Sequence, residues 1–168
     1  MPKIHLMHGY MGFGKTTLAK QLEKDLPATR FTHDELMVQR YGRTPDDFET
    51  KFKEVDKFIR AQTAKEIHRG HDVILDYGFW DKQSRKEYYT WAKTLTDDVV
   101  FHAFECDMSI AKNRVLNRSA TNPNELNVDE NIFNQFLYRY TPLTAEEGYP
   151  VIFHKTPQLF CLTRTKQH

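Results

Sequence analysis

Short continuous runs of apolar residues alternate along the chain with longer stretches in which apolar residues recur at helical spacing. The short runs are typical of buried strands, and the longer spacing is typical of amphipathic helices. Five strands are predicted on this basis, at residues 3–8, 28–31, 72–76, 99–105 and 151–153. Helices are predicted at residues 16–26, from Thr32, at 46–69, from a cap at Asp81 or Ser84, at 109–118, and from caps at Asn127 and Glu130 to about Tyr140.

Particular residues mark where two of these helices begin and end. Thr32 and Glu35 have the spacing of a capping box, in which two side chains satisfy backbone N–H groups at a helix start. Pro45 and the two aspartates after it suit the first turn of a long helix. Gly70 suits the position just past the end of that helix.

The alternation of strands with helices predicts an α/β fold in which helices cover both faces of a parallel sheet. The length of 168 residues fits one domain, residues 1–168, and the chain contains no repeat or linker. In sheets of this kind, ligands bind in the crevice beyond the carboxyl ends of the strands. Functional residues are therefore expected at that edge.

Composition narrows the class of protein. Apolar residues make up 39% and charged residues 28%, which suits a water-soluble domain with a buried core. No apolar run approaches the ~18 residues that a membrane-spanning helix needs, and the N-terminus lacks the apolar core of a secretory signal. Cys106 and Cys161 have neither metal-ligand spacing nor a disulfide framework. We therefore expect a cytoplasmic protein that does not interact with membranes.

The charge balance bears on possible partners. Lys and Arg number 24 against 23 Asp and Glu, so the formal net charge is +1. This balance lacks the electrostatic footprint of a dedicated nucleic-acid binder, although a local basic site stays open. Nucleic acid is therefore a possible but not a favoured partner, and the oligomeric state is left undetermined. The polar tail, residues 163–168, is predicted to fray.

The segment between the first predicted strand and helix, HGYMGFGKTT, is the most informative in the chain. It contains a full G-x-x-x-x-G-K-[ST] match in the strand–loop–helix context that the motif requires. Glycines let successive backbone N–H groups turn toward a phosphate chain, and the helix N-terminus adds partial positive charge. A nucleoside triphosphate, with ATP as the expected cofactor and its preference over other nucleotides left undetermined, is therefore the predicted ligand. The residues predicted to bind it are Gly9, Tyr10, Met11, Gly12, Phe13, Gly14, Lys15, Thr16 and Thr17.

Three residues at this edge have more specific predicted roles. Lys15 supplies a full positive charge to the β- and γ-phosphates and is predicted to be catalytic, whereas the Thr16 hydroxyl is placed to ligate Mg²⁺. Asp76 ends the predicted third strand, as a magnesium-shell aspartate would; the alternative is a turn cap. The chain has no guanine-reading Asn-Lys-x-Asp, and Tyr77 stands where a water-activating carboxylate would follow Asp76. Both absences favour transfer to an acceptor over hydrolysis.

Asp34 is the candidate general base. The predicted capping box places it in the first turn of the helix after the second strand, again facing the crevice. A carboxylate there can hold an acceptor hydroxyl and take its proton during attack on the γ-phosphate. The alternative is electrostatic, because acidic residues favour helix N-termini for dipole reasons alone. His33 beside it is either a bystander or an acceptor contact.

Arg114 and Arg118 share a helix face and precede a polar, lid-like loop at residues 119–127. One is expected near the base, and the other, Arg118, is predicted to neutralise γ-phosphate charge when a lid at about 118–128 closes. The alternative is a solvated basic face. Arg85, Lys82 and Arg139 are weaker candidates for acceptor or lid contacts, with surface charge an equal alternative for each.

Aromatic and histidine residues leave two interpretations open. Tyr77, Phe79 and Trp80 directly follow Asp76, so they form either a stacking wall for an acceptor or part of the core. Five histidines without metal-ligand spacing are interpreted as structural or surface residues: His5, His8, His68, His71 and His102.

The segments GYMGFGKTT, THDEL, VILDYGFWDKQSR and SIAKNRVLNR together make the whole chain resemble a small P-loop kinase of the AAA-domain or predicted-kinase group. Polynucleotide kinase, chloramphenicol phosphotransferase and zeta-toxin-like enzymes belong to that group. The resemblance implies a three-layer P-loop NTPase fold with a five-stranded parallel sheet in the order 2-3-1-4-5 and a short, mobile lid. By the same resemblance, Lys15 and Thr16 bind phosphates and Mg²⁺, Asp34 activates the acceptor, and Arg118 is a lid arginine.

The resemblance also places Arg114 and a turn at His154 and Lys155 near the adenine. One departure concerns the acceptor, because polynucleotide kinases tend to carry an arginine three residues after the acceptor aspartate, where this chain has Met37. We therefore predict an ATP- and Mg²⁺-dependent phosphotransferase that acts on a hydroxyl of a small molecule. The alternatives are a 5′-hydroxyl polynucleotide kinase and an ATP-sensing binding module with little turnover.

Overall fold

A five-stranded sheet forms the centre of the protein in the computed structural model, which describes residues 1–155. The strands are β1 (Lys3–His8), β2 (Ala28–Phe31), β3 (Asp72–Gly78), β4 (Asp98–Glu105) and β5 (Val151–Lys155). The helices are α1 (Lys15–Asp25), α2 (His33–Tyr41), α3 (Phe48–His68), α4 (Lys82–Lys93), α5 (Met108–Thr121) and α6 (Glu130–Phe136). Two short 3₁₀ turns follow, at Leu137–Arg139 and Ala145–Glu147. Cys161 and the tail that was predicted to fray lie outside the described residues.

All neighbouring strands are parallel, and the strand order is β2-β3-β1-β4-β5. Ile4 on the central strand pairs with Val73 on one side and Val99 on the other. The order confirms the predicted P-loop NTPase topology. Because all five strands are parallel, their carboxyl ends meet at one edge, where the loops before α1, α2 and α4 also begin.

Successive strand residues point to opposite faces, and each face has its own core. Ile4 and Leu6 pack with residues of α2, α3 and α4, whereas Met7 packs with residues of α1, α5 and α6. The sheet is therefore covered on both faces, as the alternation of elements predicted.

Three elements extend past their predicted C-terminal ends. β3 continues two residues past Asp76, because His8 still pairs with Gly78 beyond a register shift. α5 continues to Thr121, so the first residues of the predicted lid are helical. β5 continues to Lys155 by pairing with β4. The prediction of a turn at His154 and Lys155 was therefore wrong.

Aspartate side chains cap the starts of two helices, α4 and α6. Asp81 caps α4, and its carboxylate accepts a hydrogen bond of 2.7 Å from the Ser84 N–H. α6 begins at Glu130 with Asp129 as its cap, rather than with Asn127 or Glu130, because the Asp129 carboxylate accepts from the Ile132 N–H at 2.8 Å. Side-chain oxygens at these positions satisfy N–H groups that the helix leaves unpaired.

The predicted capping box of α2 has the right position but not the predicted contacts. Thr32 is the N-cap residue, yet its side chain makes no capping hydrogen bond. Glu35 instead accepts from Arg30 Nη2 with both carboxylate oxygens at 3.0 Å. A charge-assisted pair is stronger than a neutral cap, which accounts for the difference. Gly70 follows the end of α3 with φ of +85°, as predicted.

Candidate functional site

The P-loop, residues 9–16, connects β1 to α1 at the carboxyl edge of the sheet. Gly12 and Gly14 have φ values of +79° and +89°, a region that side chains rarely adopt. A Cβ atom at Gly12 would also collide with the carbonyl oxygen of Ala111 on α5. Gly14 is the N-cap residue of α1, so the loop leads directly into the positive end of a helix. This is the backbone geometry that phosphate binding requires.

Two aromatic residues anchor the P-loop in the interior. Tyr10 and Phe13 are buried, and the Tyr10 hydroxyl donates to the Phe133 carbonyl on α6. Burial raises the pKa of Tyr10 to about 12, so the phenol stays protonated. Trp80 donates from its indole N–H to the Gly9 carbonyl at 3.2 Å. These two P-loop side chains therefore serve the core, and the loop's backbone is left to face a ligand.

His8 holds three segments together behind the P-loop. Its Nδ1 lies 2.9 Å from the Gly78 carbonyl and 3.0 Å from the Phe79 carbonyl, and its Nε2 accepts from the Leu143 N–H at 3.0 Å. These partners assign the proton to Nδ1 and keep the ring neutral. Burial lowers the pKa of His8 to about 4. The interpretation of His8 as structural agrees with this geometry.

Lys15, Thr16 and Asp76 meet at the start of α1. The Thr16 hydroxyl donates to Asp76 Oδ2 at 2.8 Å, and Lys15 Nζ donates to the Tyr10 carbonyl at 2.9 Å. Burial lowers the pKa of Lys15 to about 8, while the carboxylates of Asp76 and Asp34 act in the opposite direction. The ammonium group of Lys15 therefore lies within electrostatic reach of both carboxylates.

Asp34 lies in the first turn of α2, as predicted, and water reaches it from the open crevice. The protein atoms around its carboxyl group displace part of its hydration and raise its pKa; Asp76 and Glu125 raise it further. Lys15 and His33 act in the opposite direction. A carboxylate with a raised proton affinity and a nearby cation is typical of functional sites.

Arg118 and Arg114 approach the P-loop from α5. The charge of Arg118 lowers the pKa of Lys15, and its Nε lies 3.8 Å from the Glu125 carboxylate. Arg114 donates to the Gly12 carbonyl at 3.3 Å. The structure thus brings together the five residues predicted to act on the transferred group or its metal: Lys15, Thr16, Asp34, Asp76 and Arg118.

Three residues at the crevice were missed by sequence reasoning. Arg30 on β2 lies with Nη1 3.7 Å from Asp76 Oδ2, and its side chain is 10% exposed. The indication in the sequence was that Arg30 is a charged residue inside a short predicted strand. Arg43 and Glu125, which come from two loops, had no local signal, because only the folded chain places them beside each other.

The oxygen atoms of Thr16 and Asp76 fit a magnesium ion. Mg²⁺ prefers hard oxygen ligands and usually takes only one or two from the protein, with water and substrate phosphates completing its shell. No cluster of three or more His, Cys, Asp or Glu side chains suited to a metal occurs within residues 1–155. The pair therefore matches the Mg²⁺ requirement and not that of a fully protein-ligated metal.

The weaker candidates lie elsewhere. Arg85 is fully buried and bonded to Glu147 and to two backbone carbonyls, so its prediction as an acceptor or lid contact, or as a surface charge, was wrong. Lys82 and Arg139 are exposed surface charges. Phe79 is buried in the core beside Tyr77, which favours the packing interpretation for these rings over an acceptor wall.

The fold and the gathered charges define a small P-loop kinase-like protein. The chain belongs to the AAA-domain family, whose model matches residues 4–143. No curated protein matches the sequence at a significant level. Within residues 1–155, no helix is both long and apolar enough to cross a membrane.

Solved structures of similar fold come from several kinds of protein. A candidate kinase from Chloroflexus aurantiacus is 15% identical with a TM-score of 0.73, over 96% of this chain and 92% of that one. A chain of the Pnkp1/Rnl/Hen1 RNA repair complex is 15% identical with a TM-score of 0.70, over 82% and 43%. A gluconokinase from Sinorhizobium meliloti is 14% identical with a TM-score of 0.59, over 94% and 84%. At these identities the likeness establishes the fold alone.

Proposed function

We propose that the protein is an ATP- and Mg²⁺-dependent phosphotransferase that moves the γ-phosphoryl group of ATP to a hydroxyl of a small-molecule acceptor. One observation carries the proposal. The phosphate-binding loop leads into the start of α1, and Asp34, exposed in the first turn of α2, lies at the same carboxyl edge of the sheet. A phosphate cradle facing a potential base is the arrangement that transfer to a hydroxyl needs.

The P-loop and two cations would bind and orient the triphosphate. Backbone N–H groups of the loop and the start of α1 provide donors, and Lys15 supplies a full charge to the β- and γ-phosphates. Arg118 on α5 acts electrostatically on Lys15, and its guanidinium would neutralise charge on the transferred group. Because this reaction needs little covalent help, positioning and charge neutralisation supply most of the rate acceleration.

Thr16 and Asp76 would hold the magnesium ion. When bound there, Mg²⁺ neutralises charge on the β- and γ-phosphate oxygens. The present hydrogen bond from Thr16 to Asp76 keeps both oxygens at one position, which supports their shared role. Arg30, 3.7 Å from Asp76, balances the carboxylate charge from the other side.

Asp34 would act as the general base. The acceptor oxygen forms a bond to the γ-phosphorus while the bond from that phosphorus to the β-phosphate oxygen breaks, and ADP leaves. The hydroxyl proton passes to the Asp34 carboxylate. The raised pKa of Asp34 makes it a better proton acceptor than an ordinary, fully hydrated aspartate.

The choice of a small acceptor rests on Met37. This residue occupies the place where the polynucleotide kinases that the chain resembles carry an arginine, and its side chain is completely buried in the core. It therefore offers no cation to an acceptor phosphate. The near-neutral net charge points the same way, and the similar fold of a gluconokinase is compatible with it.

The test is phosphoryl transfer from γ-labelled ATP with Mg²⁺ to nucleosides, sugars, aminoglycosides, phenicols and 5′-hydroxyl oligonucleotides. Asp34→Asn should reduce transfer by about 10²–10⁴-fold, because a positioned base is lost, while ATP affinity stays within about twofold. In the unmodified protein, kcat/KM should fall as pH drops through the raised pKa of Asp34, and the variant should lose that dependence. Asp46→Asn, at an exposed position, is the matched control.

Three outcomes contradict the proposal in different ways. Full transfer by Asp34→Asn would show that Asp34 is not the general base. A labelled oligonucleotide as the only product indicates a polynucleotide kinase, which also predicts salt-sensitive oligonucleotide binding. Tight ATP binding without a labelled product from any acceptor favours the ATP-sensing module, and a partner search with and without ATP would follow.

A further inference from the structure

Arg43 links the two sides of the crevice. It lies in the segment between α2 and α3, and its side chain reaches the lid loop, residues 122–129, which connects α5 to α6. Its Nε donates to the Glu125 carbonyl at 2.8 Å, and its Nη2 donates to the Ser119 carbonyl at 2.6 Å. The Asn127 N–H in turn donates to the Arg43 carbonyl at 3.0 Å. Three hydrogen bonds therefore join this one residue to the lid side.

The lid loop is itself folded around the end of α5. The Ser119 hydroxyl accepts from the Val128 N–H at 2.8 Å and lies 3.2 Å from Asn127 Oδ1. The Asn122 N–H donates to the Arg118 carbonyl at 2.7 Å. Because these bonds tie both ends of the loop to α5, Arg43 contacts a braced unit and not a loose chain. A change in its bonds would move that unit as a whole.

The unit that Arg43 contacts carries two charges of the site. Arg118 immediately precedes Ser119, and Glu125 is the residue whose carbonyl Arg43 binds. The Glu125 carboxylate lies 3.8 Å from Arg118 and is close enough to Asp34 to oppose its ionisation. Both charges therefore depend on the position of the segment that Arg43 holds.

Arg118 also has an unmet bonding requirement. Its Nε is buried and has no hydrogen-bond partner. That nitrogen lies 3.8 Å from the Glu125 carboxylate, whereas 43% of the Arg118 side chain is exposed, so the guanidinium is accessible to an incoming anion. Arg43 binds the carbonyl of Ser119, the residue that follows Arg118 on α5.

We propose that Arg43 is a positioning residue that latches the lid closed and so holds Arg118 over the transferred phosphoryl group. The inference rests on the proposed function. Acceptor entry and product release require the lid to open, which breaks the three bonds of Arg43; closure re-forms them and excludes water. The latch thereby couples the acceptor side of the crevice, α2 and α3, to the phosphate side, α5.

Hydrogen exchange measures the latch without any turnover. In Arg43→Ala, we expect the amides of residues 122–128 to exchange about 10- to 100-fold faster, because the charge-assisted bonds to the Glu125 carbonyl on the lid loop and to the Ser119 carbonyl at the end of α5 are lost. Arg43→Lys should give a smaller acceleration, since lysine can replace one of the two donors but not both. Arg40→Ala is the matched control; Arg40 is a neighbouring exposed arginine that packs over Phe58.

Kinetics then test whether the latch serves transfer. Arg43→Ala should lower kcat about tenfold or more and raise the ratio of ATP hydrolysis to transfer, because an open lid misplaces Arg118 and admits water. Arg40→Ala should leave both unchanged. A thermal unfolding curve for each variant separates a local effect on the lid from loss of the fold.

The outcomes distinguish the latch from the function. Unchanged lid exchange in Arg43→Ala overturns the latch, whatever the transferase activity. Faster lid exchange with unchanged kcat and unchanged hydrolysis overturns its role in positioning. Absence of transfer in the unmodified protein overturns the proposed function, and faster lid exchange in Arg43→Ala would then still support the latch itself.

Discussion

Two arginines near the carboxyl edge of the sheet have opposite surroundings. Arg85 is completely buried, and Glu147 accepts from its Nε and Nη2 at 2.9 and 3.1 Å. Its Nη1 donates to the carbonyls of Phe79 and Thr141 at 2.8 and 2.9 Å. Arg118 is partly exposed, and its buried Nε has no hydrogen-bond partner. The protein supplies a hydrogen-bond acceptor to every guanidinium nitrogen of Arg85, whereas it leaves Arg118 Nε without one.

The ionisable residues around the two arginines differ in a similar way. His8 near Arg85 is neutral and has a hydrogen-bond partner at both ring nitrogens. Lys15 near Arg118 and Asp34 beyond it carry charges instead, and the protein atoms around them lower the pKa of Lys15 and raise that of Asp34. A saturated buried charge stabilises the fold, because removing its partner leaves an uncompensated charge. Charges that the protein leaves incompletely satisfied mark the place where a ligand completes them.

The largest expected effect is on stability and falls on the saturated group. Arg85→Met should lower the free energy of unfolding by roughly 3–5 kcal/mol, because Glu147 loses its bidentate partner and two carbonyls lose a donor. Urea unfolding measures the change. The double variant Arg85→Met/Glu147→Leu should recover part of the loss. A loss below about 1 kcal/mol would show that the hydrogen bonds of Arg85 do not stabilise the fold, which would contradict the comparison between Arg85 and Arg118.

The next effect is on activity and falls on the unsaturated group. Lys15→Met should lower phosphoryl transfer about 10²–10³-fold, because one preorganised charge at the phosphates is lost. The free energy of unfolding should stay the same or increase, since a partly desolvated ammonium is removed. Lys20→Met, on the exposed side of α1, is the control. A strongly destabilised Lys15→Met with normal transfer would contradict the division into two groups.

The smallest expected effect is the pH dependence of stability that comes from His8, a residue near Arg85. The folded state binds a proton on His8 with a pKa of about 4, below the ordinary value of 6.5, so the unfolded state binds it more tightly. Stability should therefore fall as pH drops from about 6.5 toward 4, by roughly 2 kcal/mol at pH 5 from this residue. Urea unfolding at pH 7 and pH 5 measures the loss.

Three further histidines, on β1, β4 and β5, act in the same direction. The pKa values of His5, His102 and His154 are also lowered, first of all by burial, so the total loss exceeds that of His8. A His8→Asn variant should lose part of the pH dependence and retain the rest. If its slope equals that of the unmodified protein, His8 is not the neutral, saturated residue described above.

The parts predicted well depend on neighbours in sequence. The P-loop between β1 and α1, the cap at Asp81 and the turn at Gly70 follow from backbone demands within a few residues. The sheet order was available only through the resemblance of four short segments to P-loop kinases, and the observed order confirms it. Asp34 was placed correctly in the first turn of α2, although the capping contacts that suggested it are absent.

The parts predicted poorly depend on residues far apart in sequence. Glu35 is an exception, because its partner Arg30 is only five positions away, on the preceding strand. Arg85 was predicted to be an acceptor or lid contact, or a surface charge, because its partner Glu147 lies 62 positions away. Arg43 carried no signal for the same reason, since its lid partners are 76 and 82 positions away.

The sequence by itself determined where the phosphate-binding loop lies, which residue types face it, and that strands and helices alternate, because short-range periodicity and glycine freedom are local properties. Only the tertiary structure decided which charged side chains have all their hydrogen-bond partners within the protein and which do not. A hydrogen bond or an ion pair is made through space, so the identity of its partner is set by how the sheet and its loops pack. In this protein that decision separates Arg85, which stabilises the fold, from Arg118, which remains open toward a ligand.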